Sequence, residues 1–486
     1  MMTCSKLFSG DLSELLDIVI QYFRYDYKTL HSCILVNRFW CRLAIPLLWE
    51  DPFSIKFPKN YRFIGIYLHY FNDNYKVKLN DYEIDYHLFS SNTLFNYSRF
   101  IQRLDTRKIR KTIEKWAIAV GNSTLKTSIR NRDLPSNFTK FMFRSLFLIF
   151  IENEVNLHYF EVTIFKDPDI TYFDLIIELI LQNPNFINDI KIENNSLQII
   201  KSQKNIKNFS LDCNGRFLDN LVLLSLKNTN CSNTLNSIRF YFVDFEDIDV
   251  LSEVFNYLNS LESIHTIYSG WQCGINYKFI QQIKNIIKPF KLKSLFLDLM
   301  NEKDALLEPL IEKSGDYLEN LGFIYNRSQR LLQSIIKFCS KIKFLDPTWP
   351  NNQSIHLVFN LIELINQNLN YHFIDTHSLI YYDYYDSSSI ISQNLGQILP
   401  VRLEYLDLIL SINTNDLEIF LRNLQNNFIK KLKRIKYLAI KEMIRFKEND
   451  LFLQKDKVEE VELYDIQVLK YKDLCIDISD FIKETY

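Results

Sequence analysis

The chain has 486 residues, too many for one ordinary hydrophobic core, so two domains or an extended repeat array are expected. Hydrophobic residues make up 47% of it, which excludes general disorder, and a formal net charge of -1 excludes a global field for nucleic acid or an anionic membrane. The eight cysteines, at positions 4, 33, 41, 213, 231, 273, 339 and 475, include no C-x-x-C pair. That spacing predicts neither a zinc site nor a redox pair, and points to free thiols in a reduced cytoplasmic or nuclear setting.

The first predicted elements are three short helices. Asp11-Leu12-Ser13-Glu14 has the form of a capping box, and Leu12, Leu15, Leu16, Val19, Ile20 and Phe23 follow it at helical spacing. Asp26 is a second N-cap, opening a stripe through Leu30, Cys33 and Ile34 that Asn37 ends. Phe39, Trp40, Leu43 and Ala44 form a third stripe that stops before Pro46. Three such helices bury too little by themselves, so a partner or the next domain must cover part of their apolar surface. The apolar run from Leu12 to Ile20 carries Glu14 and Asp17 and lacks the flanks of a secretory signal. The run from Phe141 to Ile151 contains Arg144 and is too short to span a bilayer, so no membrane partner is expected.

The segment from Asp11 to Phe53 resembles an F-box. It supplies Leu12, Leu15, Leu16, Ile18 and Leu30, then Val36-Asn37-Arg38-x-Trp40, then Leu43 and Trp49, in the order of the family pattern. It is similar to the F-box-like proteins that some fungi carry as large expanded sets. Ser13 stands where the family usually has Pro, a residue that pre-organises a helix start. The resemblance implies docking on a Skp-type adaptor, and through it on a cullin, with Leu12, Leu15, Leu16, Ile18, Leu30, Val36 and Trp40 forming or supporting the contact face.

Residues 56–135 have no clean period and are expected to connect the F-box-like segment, 1–55, to the C-terminal region, with a charged helix over 97–120. From about Phe186 a repeat emerges of the form apolar-x-x-apolar-x-apolar. It fits Ile187/Ile190/Ile192, Ile206/Phe209/Leu211, Leu235/Ile238/Phe240, Leu292/Leu295/Leu297 and Leu318/Leu321/Phe323. It fits again at Cys339/Ile342/Phe344, Leu403/Leu406/Leu408, Leu432/Ile435/Tyr437 and Val458/Val461/Leu463. Leu261/Ile264 has a slipped third position at Thr266 or Ile267, and Asn368/Tyr371/Phe373 is a degenerate member. The mean spacing, roughly 27 residues, lies in the leucine-rich range. The fold class is therefore α/β: a three-helix F-box and then, over 136–486, an irregular leucine-rich-repeat solenoid of parallel strands with helices on the convex side.

In such strands the residue between the second and third apolar positions points away from the core, to the concave recognition face. That row reads Lys191, Ser210, Arg239, His265, Phe296, Gly322, Lys343, Asp407, Lys436 and Glu462. Arg239, His265, Phe296, Lys343, Asp407 and Lys436 are its candidate client contacts; the aromatic Phe296 is either covered by a neighbouring loop or the foremost of these contacts. The basic run from Lys430 to Lys436 reads as a solvated helix end, with a nuclear signal or an acidic-partner site as the alternative.

Catalytic signatures are missing. The nine glycines build no P-loop, no G-x-G-x-x-G turn and no G-x-S-x-G elbow, and His372 and His377 do not share a helix face. No enzyme activity, cofactor, metal or nucleic-acid partner is expected. The expected function is a substrate receptor of an SCF-type ubiquitin ligase, with a leucine-rich scaffold outside any ligase as the alternative.

Overall fold

A computed structural model describes residues 13–24, 26–54, 63–82, 93–120, 133–163, 170–193, 197–213, 220–227, 229–243, 245, 247–267, 277–286, 291–298, 307–324, 329–346, 355–365, 367–375, 384–399, 403, 405–409, 415–416, 418–423, 437–444, 447–450, 458–459, 462 and 467–468. Two compact units divide the chain, Met1–Phe209 and Ser210–Tyr486. The architecture is α/β, with short parallel strands alternating with helices. No described helix is long and apolar enough to cross a membrane.

The first unit opens with helices α1 (Ser13–Tyr22), α2 (Tyr27–Cys33) and α3 (Arg38–Leu48). Asp26 caps α2 by accepting from Thr29 N at 3.0 Å. Asn37 begins α3 as well as ending the preceding turn: its Oδ1 accepts from Phe39 N and Trp40 N, both at 2.9 Å. The stop expected at Pro46 does not occur there, and α3 continues past it to Leu48. Helices α4 (Phe63–Leu68), α5 (Asp73–Asp81), α6 (Thr106–Val120), α7 (Asp133–Glu152) and α8 (Ile170–Leu181) come next, with α9 (Leu197–Ser202) late in the unit.

Its strands are β1 (Arg103–Asp105), β2 (Tyr159–Thr163) and β3 (Asp189–Glu193), paired in parallel and in chain order. The charged helix expected over 97–120 is interrupted by β1: Tyr97–Phe100 form a short 3-10 turn, Leu104 is buried in the strand paired with β2, and the helix starts only at Thr106. Repeat spacing thus begins earlier than Phe186. Leu157, Phe160 and Val162 fit the template and are fully buried. An aromatic core holds this unit together, including Tyr67 against Phe150 at 5.5 Å, Phe147 against Phe160 at 6.0 Å and Trp116 against Phe138 at 6.0 Å between ring centroids.

Strand β4 (Asn208–Asp212) spans the division. The second unit continues with β5 (Ser237–Tyr241), β6 (Ser263–Ile267), β7 (Ser294–Asp298), β8 (Asn320–Ile324), β9 (Phe344–Asp346), β10 (Tyr371–Asp375), β11 (Tyr405–Ile409) and β12 (Tyr437–Ile444). Each pairs in parallel with the next from β5 onward. The exceptions close the series: β13 (Lys447–Asp450) pairs antiparallel with β12, and β14 (Gln467–Val468) lies parallel on it. Helices α10 (Asn220–Ser225), α11 (Thr229–Ser232), α12 (Leu251–Tyr257), α13 (Tyr277–Lys284), α14 (Glu308–Ser314), α15 (Gln329–Phe338), α16 (Ile355–Ile365) and α17 (Tyr384–Ile398) alternate with the strands, and from α12 onward each packs on the next. Val358, Leu361, Ile362 and Ile365 of α16 show the rule: one buried stripe at helical spacing.

Register corrects the repeat in several places. Ile264 aligns with Ile238 and Thr266 with Phe240, so Thr266 fills the third position without a slip. Leu345 aligns with Leu321, which makes the next member Ile342/Leu345 in place of Cys339/Ile342/Phe344. His372 aligns with Leu345 and Leu406, so the degenerate member is Leu369/His372/Ile374, one residue later than expected. Leu438 aligns with Leu406, three residues beyond Ile435. The last member is displaced too: Val458 and Glu462 are helical, and the strand beside β12 is Gln467–Val468. Apolar residues at more than one offset come close to the template in these stretches, and pairing decides which set enters the sheet.

Candidate interaction surfaces

The three N-terminal helices enclose a small core of Leu16, Ile20, Leu30, Cys33, Ala44 and Leu47, with Phe23, Phe39, Trp40 and Leu43 packed on it. Helix α1 reaches this core through Leu16 and Ile20, one turn apart. A second stripe on the same helix, Leu15, Ile18, Val19 and Tyr22, has i, i+3, i+4, i+7 spacing and faces outward. Ile18 is 66% and Tyr22 88% exposed, and the turn after α2 adds Leu35 and Val36. Clustered exposed apolar side chains of this kind make a candidate interaction surface.

Of the residues the sequence proposed for adaptor contact, Leu15, Ile18 and Val36 lie on this open face. Leu16 and Leu30 lie in the core beneath it, and Trp40 is half-buried against that core. Leu12 lies outside the described residues. Val19, read in the sequence only as a member of the helical stripe, and Tyr22 and Leu35 are further members, and the spacing of Leu15, Ile18, Val19 and Tyr22 could have revealed two of the three.

This face is tied to β1 by one carboxylate. Glu50, buried, accepts from Arg24 Nε at 2.6 Å and lies 3.4 Å from Arg103 Nε. The Glu50 carbonyl accepts from the backbone of Gln102 and Arg103, and Arg24 also donates to Gln102 Oε1 at 3.1 Å. Nearby, burial raises the carboxyl pKa of Asp51 and of Asp105. Asp105 caps α6, accepting from Arg107 N at 2.8 Å. Burial also acts to raise Glu161, but Lys191 at 2.8 Å, the Tyr159 hydroxyl and Lys108 together hold that carboxyl below its ordinary value.

No protein-family model matches the chain, and no curated protein does. The chemistry of these surfaces rests on their own geometry.

In the second unit Arg239, His265 and Phe296 form a row, as expected: Arg239 pairs with His265, and His265 with Phe296. The row is not open. Arg239, His265, Phe296 and Asp407 are all buried, so the expectation of a solvent-facing concave row is corrected at these positions. Strands with both faces covered are normal for parallel sheets. Here the face carries aromatic side chains: Phe296, Phe344 and Tyr371 cluster with Tyr241 and Ile267, and Phe344 stacks on Tyr371 at 4.5 Å. Lys343 is not in the row at all, since Asp346 takes the position beside Gly322. It sits one residue before β9, half-exposed, with its ammonium 2.8 Å from Glu319. Lys293 and Glu262 repeat this ion pair at 2.7 Å before β7 and β6. Lys436 lies outside the described residues, and Ala439, which pairs with Asp407, fills its expected place.

Among the described residues no group of His, Cys, Asp and Glu could hold a metal ion. Two histidines are buried neutral. Burial, with Arg239 nearby, depresses His265 well below the ordinary imidazole value, and burial brings His372 to about 4.

Proposed function

We propose that the chain is the substrate-receptor subunit of an SCF-type cullin-RING ubiquitin ligase. The N-terminal helices would dock on a Skp-type adaptor, and the repeat units would hold a client protein. The observation that carries this reading is the outward stripe Leu15, Ile18, Val19 and Tyr22, with Leu35 and Val36, on a three-helix core that bears the Val-Asn-Arg-x-Trp motif. A surface of this kind is stable in water only when a partner covers it for much of its life.

In this role the chain performs no bond chemistry. It raises the effective concentration of client lysines at a charged conjugating enzyme. The buried Glu50 between Arg24 and Arg103 joins the end of α1 to β1, so the docking face moves with the sheet it serves.

The test is co-purification with a Skp-type adaptor. Ile18→Asp with Val36→Asp places two charges on the face and none in the core. Adaptor recovery should fall at least tenfold, as for loss of interface anchors worth about 1.4 kcal/mol or more. Recovery equal to the unmodified chain sinks the ligase reading and leaves a repeat scaffold.

A further inference from the structure

One buried charge in the second unit is not balanced by the described protein groups. Arg239, on β5, is only 3% exposed, so its guanidinium keeps little of the water that long cationic side chains usually reach. Its Nε and Nη2 atoms are buried, and among the described residues no group accepts from them. The first unit shows how this chain otherwise treats a charge on its sheet: Lys191 of β3 meets Glu161 of β2 at 2.8 Å. Among the described residues no carboxylate accepts from Arg239 Nε or Nη2. Its register neighbour is His265, which stays neutral in the presence of the guanidinium.

The surroundings are hydroxyl-rich. Ser237, Ser263 and Ser294 align across β5, β6 and β7, two residues before Arg239, His265 and Phe296, and so on the same face. All three are buried. Ser294 Oγ is engaged with His265 Nε2 at 2.8 Å. The Oγ atoms of Ser237 and Ser263 are buried with no partner among the described residues. With strands about 4.8 Å apart and alternate residues about 6.6 Å apart, these groups share a patch roughly 10 Å across.

A water molecule would satisfy these hydrogen bonds but not the charge. Burying a cation without an anion is among the costliest arrangements a fold can adopt. Nε and Nη2 form the side-on edge of the guanidinium, which grips two oxygens of one anion. Two buried serine hydroxyls on the same face, Ser237 on the same strand and Ser263 on the next, would bring the donors to four, which suits a tetrahedral oxyanion better than a two-oxygen carboxylate. The enclosure suits a free ion better than a group on a macromolecule, because Ser263, His265 and Ser294 are wholly shielded from solvent.

We propose that the β5–β7 face binds one small tetrahedral oxyanion, of the phosphate or sulfate type, held by Arg239 with Ser237 and Ser263. The ion neutralises the guanidinium and bridges neighbouring strands, so it acts as a structural ligand of the repeat. The inference does not depend on the docking role of the N-terminal helices, and either can fail alone.

The experiment uses the full chain. Ion analysis of acid-precipitated protein measures phosphate and sulfate per chain, and thermal melts in chloride buffer are repeated with inorganic phosphate at constant ionic strength. Either about one bound anion per chain, or a melting rise of about 5 °C at a hundredfold excess over Kd, is expected. Arg239→Met should abolish both while melting no lower than the unmodified chain does in chloride, because it removes the buried charge with the site. Ser263→Ala should weaken phosphate binding about tenfold. Absence of both a co-purifying anion and a phosphate-specific shift overturns the proposal, as does an unchanged shift in Arg239→Met. An equal shift with acetate overturns the tetrahedral assignment. A response to a phosphorylated peptide without one to free phosphate overturns the enclosed site.

Discussion

Arg24 Nε donates to Glu50 Oε2 at 2.6 Å across 26 residues of sequence. The acceptor is almost wholly buried while the donor keeps about a third of its side chain in water, with relative exposures of 5% and 34%. Arg103, with the same 34%, approaches the other oxygen of that carboxylate. Removing Glu50 therefore strands two arginines that were drawn toward one site. Glu50→Ala should cost about 1–3 kcal/mol in urea denaturation, discounted from the fully buried case because both arginines can turn to solvent. Arg24→Met should cost less, since Arg103 remains.

Face and core in the N-terminal helices should separate cleanly. Leu16 is fully buried, so Leu16→Ala should lower stability by about 2–5 kcal/mol and lose adaptor as a consequence. Ile18→Ser, on the open stripe, should change stability by no more than about 0.5 kcal/mol and yet reduce adaptor recovery. Equal effects of the two on melting would show that Ile18 packs inside.

Gly315, the residue after α14, has ordinary helical angles, φ -55° and ψ -38°, so backbone freedom is not why it is glycine. A Cβ there would lie 2.6 Å from the Phe338 carbonyl oxygen and 2.8 Å from Phe338 Cβ, at the end of α15. Gly315→Ala should therefore destabilise by about 1–3 kcal/mol through overpacking, despite the better helix propensity of alanine. A chemical-denaturation midpoint equal to or above that of the unmodified chain would contradict the close approach.

His372 should make the fold acid-sensitive. Burial lowers its folded pKa from 6.5 to about 4, so between those values the unfolded chain binds a proton that the folded chain refuses. Its contribution is present above pH 6.5 and lost as pH falls, by about 2 kcal/mol at pH 5. His265 acts in the same direction. His372→Leu, between Leu345 and Leu406 in the sheet, should flatten the stability profile between pH 7 and 5. An unchanged pH slope would place His372 in contact with water.

The described cysteines are free thiols, and burial pushes Cys213 and Cys339 up to about 12 and Cys231 to about 11. Thiolate is the reactive form, so these three should resist alkylation in the native protein at pH 8. Cys41, partly exposed, should label before them. Mass spectrometry of a maleimide time course checks the order, and rapid native labelling of Cys213 would contradict its burial.

Local structure was legible along the chain. Caps at Asp26 and Asn37, helical stripes such as Val358 to Ile365, and the apolar spacing of most strands come from backbone geometry between near neighbours. Tertiary pairing decided what local spacing leaves degenerate. Cys339/Ile342/Phe344 and Ile342/Leu345 satisfy the pattern about equally well, and only alignment of Leu345 with Leu321 selects the second. The same choice moved Lys343 out of the sheet row and put His372 in the place expected for Tyr371. Burial of the Arg239 row was likewise invisible in sequence. Alternation predicts which face a side chain takes, but whether that face meets solvent depends on packing from distant parts of the chain. The N-terminal face shows both limits in one helix: the two apolar stripes of α1 are legible, but only the folded helices show that Leu16 and Ile20 face the core while Ile18 and Tyr22 are left outside, because α2 and α3 can pack against one side of α1.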